Sequence, residues 1–321
     1  MQPVKKILNK LNGLHYRQEY LCFSKESHTD PLYVYIVNDG HIIKDITNQH
    51  LFTGYNPVIF AMPADPGLPT SLRLIFSQHI LLPNELFSKK DALAFLEMKI
   101  IHKQVSDDGN IFYYEGSQGR HFFISPFHQY INQLYNQLYN KKTGNVFLYA
   151  NLYKQVQIAY AIPRIISLIT VSDGKLFNLF PTDLHGQVDE THYIISLRSN
   201  GKACAQVEAA GRILLSTVNS DLYKTVYMLG KNHMQPLRMK MDLPFSQSSS
   251  ARFQLPIPGQ SISYRELELQ DHFIHGIHKI LLFKIVFQQQ LQPVPATLCH
   301  IHNSYATWRY KNKLRGNYLL R

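Results

Sequence analysis

Two short stretches of the chain carry side chains and backbone that could hold a ligand. Arg198-Ser199-Asn200-Gly201-Lys202 gathers a hydroxyl, an amide, two cations and a glycine at what reads as the start of a helix. Such a turn suits a phosphate, which takes backbone N–H groups and charge-assisted hydrogen bonds. Upstream, Asn178-Leu179-Phe180-Pro181-Thr182-Asp183 reads as a strand-flanked loop with main-chain donors and acceptors beside apolar surface. That combination suits a flat heteroaromatic ring. No nucleophile or catalytic triad is evident, and Cys204 and Cys299 have no argued partner. His300-Ile301-His302 alternates as a strand would, and His272 and His275 lie three apart. Neither set has a third ligand at metal-site spacing, so both read as structural and no metal is expected.

The elements that must position these residues are mostly short strands. Residues 32–37, 57–62 and 72–77 in the first half, and 165–171, 193–198, 212–218 and 280–287 in the second, are rich in Val, Ile, Leu, Tyr and Phe. Near-continuous apolar runs suit strands buried on both faces, as in a barrel carrying packed helices. Asp173-Gly174 reads as a hairpin turn, followed by a loop over residues 178–187. Helices are expected from Ser88, with Ala92, Phe95, Leu96, Lys99 and Ile100 at helical spacing, and from Ser125-Pro126. The second of these has an apolar face of Phe127, Ile131, Leu134 and Leu138. Shorter helices are expected over 202–210 and 304–310, and residues 243–260 read as an exposed excursion. A faint repeat relates the two halves. From Val34 and again from Leu168 the chain reads strand, Asp-Gly turn, short strand, polar segment, strand, and the run from Leu72 echoes that from Gly211.

The chain has 321 residues, 45% of them hydrophobic, enough for one large domain or two ordinary ones. The expected division is an N-terminal domain over 1–150 and a second over 151–321. No apolar run approaches the roughly 18–20 residues of a membrane span. The N-terminal stretch lacks the apolar core of a secretory signal, and three scattered cysteines fit a reducing cytoplasm. The formal net charge is +11. Residues 1–150 hold 14 Lys+Arg against 12 Asp+Glu, net +2, and residues 151–321 hold 19 against 10, net +9. The excess is dispersed, with its densest cluster at Arg309, Lys311, Lys313 and Arg315. A generic basic surface, a nucleic-acid partner and a localised site for a small anion all remain open on composition.

The segment from Pro163 to Val218 resembles the flavin reductase-like, FMN-binding split-barrel family. The likeness runs through Pro163, the Asp173-Gly174 turn, Asn178, Pro181-Thr182, the strand Tyr193–Leu197, the turn Ser199–Lys202, the helix Ala203–Ala210 and Gly211–Val218. Gly276-Ile277-His278 and the strand after it are similar to that family's Gly-x-His strand. Order and spacing agree over residues 160–290, about 40% of the chain. The resemblance implies a mainly β fold with helices: an FMN-binding split β-barrel in the C-terminal half, with residues 1–150 as an α+β domain that is a degenerate copy of it. It implies ring contacts from Asn178, Leu179, Phe180, Pro181 and Thr182, and phosphate and ribityl contacts from Arg198, Ser199, Asn200 and Lys202. His278 would stand at the reactive face. FMN, with FAD as the alternative, and NAD(P)H as reductant are the implied cofactors, and hydride transfer to flavin the implied reaction. The implied partners are flavin and nicotinamide nucleotides, with a homodimer or an in-chain equivalent of one, no membrane, and no nucleic acid. A non-catalytic flavin-binding protein is the alternative, and a basic nucleic-acid binder a more distant one. Asp183 and Ala203 depart from the family's hydroxyl residues, and an inward-pointing Asp183 would disfavour a reduced, anionic flavin.

Overall fold

β-Branched and aromatic residues favour extended chain, and in the computed structural model their runs form antiparallel sheets. The structure describes residues 4, 7–8, 11–65, 67–88, 90–106, 109–139, 147–293, 295–314, 316 and 318–319. After an opening strand, β1 (Tyr20–Ser24), the first sheet comprises β2 (Tyr33–Asn38), β3 (His41–Asp45), β4 (Leu51–Tyr55), β5 (Val58–Pro63), β6 (Ser71–Ser77), β7 (Ala94–Ser106) and β8 (Gly109–His121). Helices α1 (Pro126–Tyr139) and α2 (Ala150–Ala159) and the two-residue β9 (Arg164–Ile165) follow. The second sheet begins with β10 (Ser167–Ser172), β11 (Phe177–Thr182), β12 (His185–Gln187) and β13 (His192–Arg198). Helix α3 (Lys202–Ala210) intervenes before β14 (Arg212–Val218). Helix α4 (Tyr223–Leu229) and a small pair, β15 (Phe245–Ser249) and β16 (Pro256–Pro258), precede the last two strands of that sheet, β17 (Ser261–His275) and β18 (His278–Gln290). The chain then runs through β19 (Leu298–His302), α5 (Asn303–Lys311) and β20 (Tyr318–Leu319).

The two seven-stranded sheets share one topology. The first has the order β3-β2-β6-β7-β8-β5-β4 and the second β11-β10-β14-β17-β18-β13-β12, each strand standing where its sequential counterpart stands. The likeness extends to irregularities. β7 shifts register at Glu97/Met98 and Ile100/His102, and β17 does so at Glu266/Leu267 and Leu269/Asp271, with the same spacing. Bulges sharpen local twist, so the long hairpins β7–β8 and β17–β18 bend at matching places. The C-terminal sheet curls into a half-barrel of split-barrel topology, and the N-terminal sheet is less closed.

Each sheet encloses its own core. In the second, Ile169, Phe180, Ile195, Leu215, Leu267 and Leu281 meet Ala203, Cys204 and Val207 of α3. In the first, Ile36, Phe60, Leu74 and Leu96 meet Val156, Ile158 and Ala159 of α2. The sheets meet through equivalent strands: Ile59 and Ala61 of β5 and Ile111 and Tyr113 of β8 pack on Ile194 of β13 and Ile280 and Leu282 of β18. A third sheet, β20-β1-β19-β9, joins the two ends of the chain. Cys22, Cys204 and Cys299 are buried and unbridged. Among the described residues no helix is long and apolar enough to cross a membrane.

Three local expectations are corrected. The segment expected as a helix from Ser88 is strand β7. Ala94, Leu96 and Met98 are buried while Phe95, Glu97 and Lys99 are not, a period of two, and pairing with β6 and β8 satisfies the backbone on both edges. The expected loop over 178–187 is largely strand, because β11 pairs with β10 from Phe177 to Thr182 and β12 with β13. Helix α1 begins at Pro126 as expected but buries Ile131, Asn132 and Asn136, leaving Phe127 and Leu138 exposed. The two asparagines donate to the carbonyls of Asn12 and Leu148 at 3.0 and 3.2 Å, so a polar seam replaces the expected apolar one.

Candidate functional site

A cleft of about 380 Å3 opens where the second sheet faces the first. It lies within the ~300–1,000 Å3 usual for small-molecule sites. Its walls come from three places. The end of edge strand β11 contributes Pro181 and Thr182, with Asp183 just beyond. The end of β13 contributes Ser196 and Arg198, and the turn into α3 contributes Gly201, Ala203 and Cys204. Opposite stand Lys231, His233 and Met234, and the first half of the chain sends in Tyr55 from the end of β4.

Local chemistry explains why these residues converge. Asp173 accepts from the amides of Lys175 and Leu176 at 2.9 and 2.8 Å, and Gly174 has φ +101°, so the β10–β11 hairpin turns tightly and β11 runs to the cleft. Gly201 ends the turn after β13 by donating to the Arg198 carbonyl at 3.0 Å. Helix α3 then starts with no capping side chain and no acidic residue in its first turn. First-turn amides of a helix have no intrahelical acceptor, so that end of α3 favours an anion. The ring of His233 donates to the Pro181 carbonyl at 2.8 Å and pins the far wall.

Tyr55 locks the seam. Its hydroxyl accepts from Arg198 Nε at 2.6 Å, and its amide donates to His278 Nε2 at 3.1 Å. Because Nε2 accepts, the His278 proton is on Nδ1, 3.2 Å from Ser196 Oγ. Burial, then the nearby Arg198 charge, depresses the His278 pKa to about 4. The imidazole is therefore neutral near pH 7. Gly276, at φ +58°, lets the β17–β18 turn close on the Asn56-Pro57 turn, where any Cβ would collide with the Asn56 carbonyl and the Pro57 ring.

Behind Tyr55, Asp183 and Arg198, which border both spaces, lies a second chamber of about 280 Å3 walled by Tyr20, Tyr153, Tyr160 and His300. Burial pushes the Asp183 carboxyl up, but His300 Nε2 at 2.9 Å, the Arg164 charge and the Tyr160 hydroxyl outweigh it and hold the group well below the usual carboxylate range. Arg164, itself buried, donates to the carbonyls of Phe52 and Asp183, both at 3.0 Å. The negative charge of Asp183 is thus offset by the Arg164 guanidinium and by the close approach of the His300 ring.

Of the residues singled out in the sequence, Pro181, Thr182, Arg198 and His278 border the cleft. Asn178, Leu179 and Phe180 are fully buried in the sheet and helix packing beside it. The Asn178 amide donates to Gln206 Oε1 at 2.7 Å and the Asn232 carbonyl at 3.0 Å. Ser199, Asn200 and Lys202 are exposed on the outer side of the turn. Tyr55, Lys231, His233 and Met234 were not anticipated. The Asn56-Pro57 pair marks a turn beside Tyr55, but nothing local in the sequence sets it opposite Arg198. Among the described residues no group of three His, Cys, Asp or Glu side chains could hold a metal ion.

A scan against protein-family models found no match, and neither did a search of curated protein sequences. Among solved structures the chain is similar to an FMN-binding protein from Thermus thermophilus with bound p-hydroxybenzaldehyde, at 17% identity over 44% of this chain and 86% of that one, TM-score 0.38. It is also similar to the NADH:FAD oxidoreductase SgcE6 of Streptomyces globisporus, at 10% identity over 53% and 93%, TM-score 0.42. A third is BorF, the flavin reductase component of a bacterial two-component tryptophan halogenase, at 12% identity over 51% and 96%, TM-score 0.40. These are partial, low-identity likenesses to flavin reductase-like split-barrel proteins, and likeness at this level assigns no chemistry.

Proposed function

We propose that the chain is a flavin-binding oxidoreductase of the flavin reductase type, taking FMN in the seam cleft and hydride from NAD(P)H. The observation that carries the reading is the cleft itself, built jointly by both halves of the chain. Its α3 end offers uncapped amides beside Arg198 and Lys231 for a phosphate, and its β11 end offers Pro181 and Thr182 for a flat ring. The residues present therefore fit the cofactor. Bound flavin would supply the hydride-accepting ring; positioning and electrostatics are left to the protein.

Tyr55 fixes the Arg198 guanidinium, so the cation facing the cleft is preorganised rather than swinging in solvent. Neutral His278 serves as a positioning residue: through the Tyr55 amide it sets the wall on which Arg198 is held. Asp183, matched by Arg164 and His300, adds little net repulsion against a ligand that gains negative charge. Ser199, Asn200 and Lys202 line the outer rim of the phosphate turn. In this reading the first half is the in-chain counterpart of a second subunit.

Purified protein mixed with FMN and desalted should keep absorbance bands near roughly 370 and 450 nm and oxidise NADH or NADPH when FMN is supplied. Loss of all flavin on desalting, with neither nicotinamide oxidised, would overturn the proposal. Retained flavin inert to both nicotinamides would leave a flavin-binding protein without reductase activity.

A further inference from the structure

Another cleft, of about 740 Å3, lies away from the seam residues and is built from both halves of the chain. It is bounded by the start of β7, the end of β8, the starts of α1 and α2, and the end of α5. Arg120, Lys154 and Lys311 line it, and among the described residues no Asp or Glu does. None of these three cations has a carboxylate partner among the described residues. Lys311 makes one long contact, donating to the Gly13 carbonyl at 3.4 Å. Unpaired cations around one concavity raise the local concentration of anions.

The walls between the cations are aromatic. Phe95 and Phe122 border the same space, Phe122 is 40% exposed, and the Arg120 guanidinium stands 5.3 Å over its ring. An exposed ring already stacked on one side by a guanidinium offers a platform for a second π system. Gln129 spends both side-chain donor contacts on the carbonyls of His121 and Ile124, at 2.8 and 3.0 Å. With its donors spent, its amide oxygen accepts from no described group and is left as an acceptor, as an exocyclic amine of a nucleobase would require.

Cations without carboxylates, a stacking face and an oriented amide acceptor fit one chemical class. We propose that this cleft binds a nucleoside 5′-phosphate, with Arg120, Lys154 and Lys311 on the phosphate and Phe122 under the base. The site is independent of the flavin reading. It also separates the basic cluster noted near the C-terminus: Arg309 is buried against Asp30, whereas Lys311 faces the cleft.

Isothermal titration with AMP, adenosine and inorganic phosphate tests it on the full chain. AMP should bind more tightly than either fragment. Arg120→Gln and Lys154→Gln should each raise its Kd by about tenfold, with thermal midpoint and FMN retention unchanged. Phe122→Leu should weaken AMP and adenosine but not phosphate. The proposal is overturned if the glutamine variants leave the AMP Kd unchanged, if phosphate binds as tightly as AMP, or if saturating FMN displaces AMP. A single-stranded oligonucleotide binding more than about a hundredfold tighter than AMP, and falling steeply with salt, would overturn it in favour of a polymer site.

Discussion

The two sheets have the same strand order and the same paired bulges, yet among the described residues only one sends a turn and a helix N-terminus to the seam cleft. The difference lies in one connection. Between β13 and β14 the chain makes a turn and helix α3, whose uncapped end opens on the cleft. Between the equivalent strands β5 and β6, residues 64–70 cross with no helix among those described. Lys44 holds Asp65 at 2.9 Å, and the Tyr114 hydroxyl donates to the Pro69 carbonyl at 3.0 Å. The first sheet is covered instead by α2, which arrives after all seven strands and lies against Gly116 and Gly119. A split-barrel topology is therefore a frame. In the proposed function, the insertion between its fourth and fifth strands is the part that would take the phosphate.

Three substitutions test this division of labour. Arg164→Met removes the guanidinium that ties Phe52 of the first sheet to Asp183 of the second, leaving two carbonyls and a carboxylate short of partners. It should cost about 3–5 kcal/mol in denaturant unfolding; a cost under about 1 kcal/mol would show that the halves do not depend on this bridge. Gly119→Ala puts a Cβ 2.8 Å from Gln155 Cγ and 3.0 Å from Ile158 Cδ1, overpacking α2 on the first sheet. A loss of about 1–3 kcal/mol with flavin retention intact is expected. Tyr55→Ala acts on the seam cleft instead: it removes the wall that the first half lends, so FMN affinity should fall by about tenfold in whatever fraction of the protein folds. Unchanged FMN affinity would show that the second half binds alone.

Much of the frame is legible in the residues. The apolar runs mark β2, β5, β6, β10, β13, β14 and β18 to within a few residues, because each is bounded by turn chemistry. The Asp39-Gly40 and Asp173-Gly174 pairs both turn hairpins, with φ of +81° at Gly40 and +101° at Gly174. The repeat read from Val34 and Leu168 corresponds to strands in matching positions of the two sheets. β7 escapes such reading because Ala92, Leu96 and Ile100 satisfy a helical period as well as a strand period, and only pairing with two neighbours decides between them. The candidate site is less legible. Arg198 and Pro181-Thr182 stand out from local chemistry, but Tyr55 reaches them across the seam, through contacts between residues far apart in sequence. Asn178 looks like a ligand contact, and its amide is instead consumed by Gln206 and Asn232.

The pairing of β1 with β19 bears on the order in which the molecule assembles. Tyr20 lies opposite His302 and Ser24 opposite Leu298, so this strap needs residues from both ends of the chain. Each seven-stranded sheet can zip from strands that leave the ribosome in sequence, whereas the strap must wait for nearly the whole chain. Closing so long a loop adds little entropy cost beyond that of a shorter one, since the cost grows only logarithmically with length. Such non-local pairing is slow rather than weak. His300 rides on β19, paired with Arg164 of β9, and it is His300 that reaches Asp183 in the chamber behind the cleft. That corner of the seam is thus closed by a strand that pairs with residues near the start of the chain, so its charge pairing depends on contacts across nearly the whole sequence.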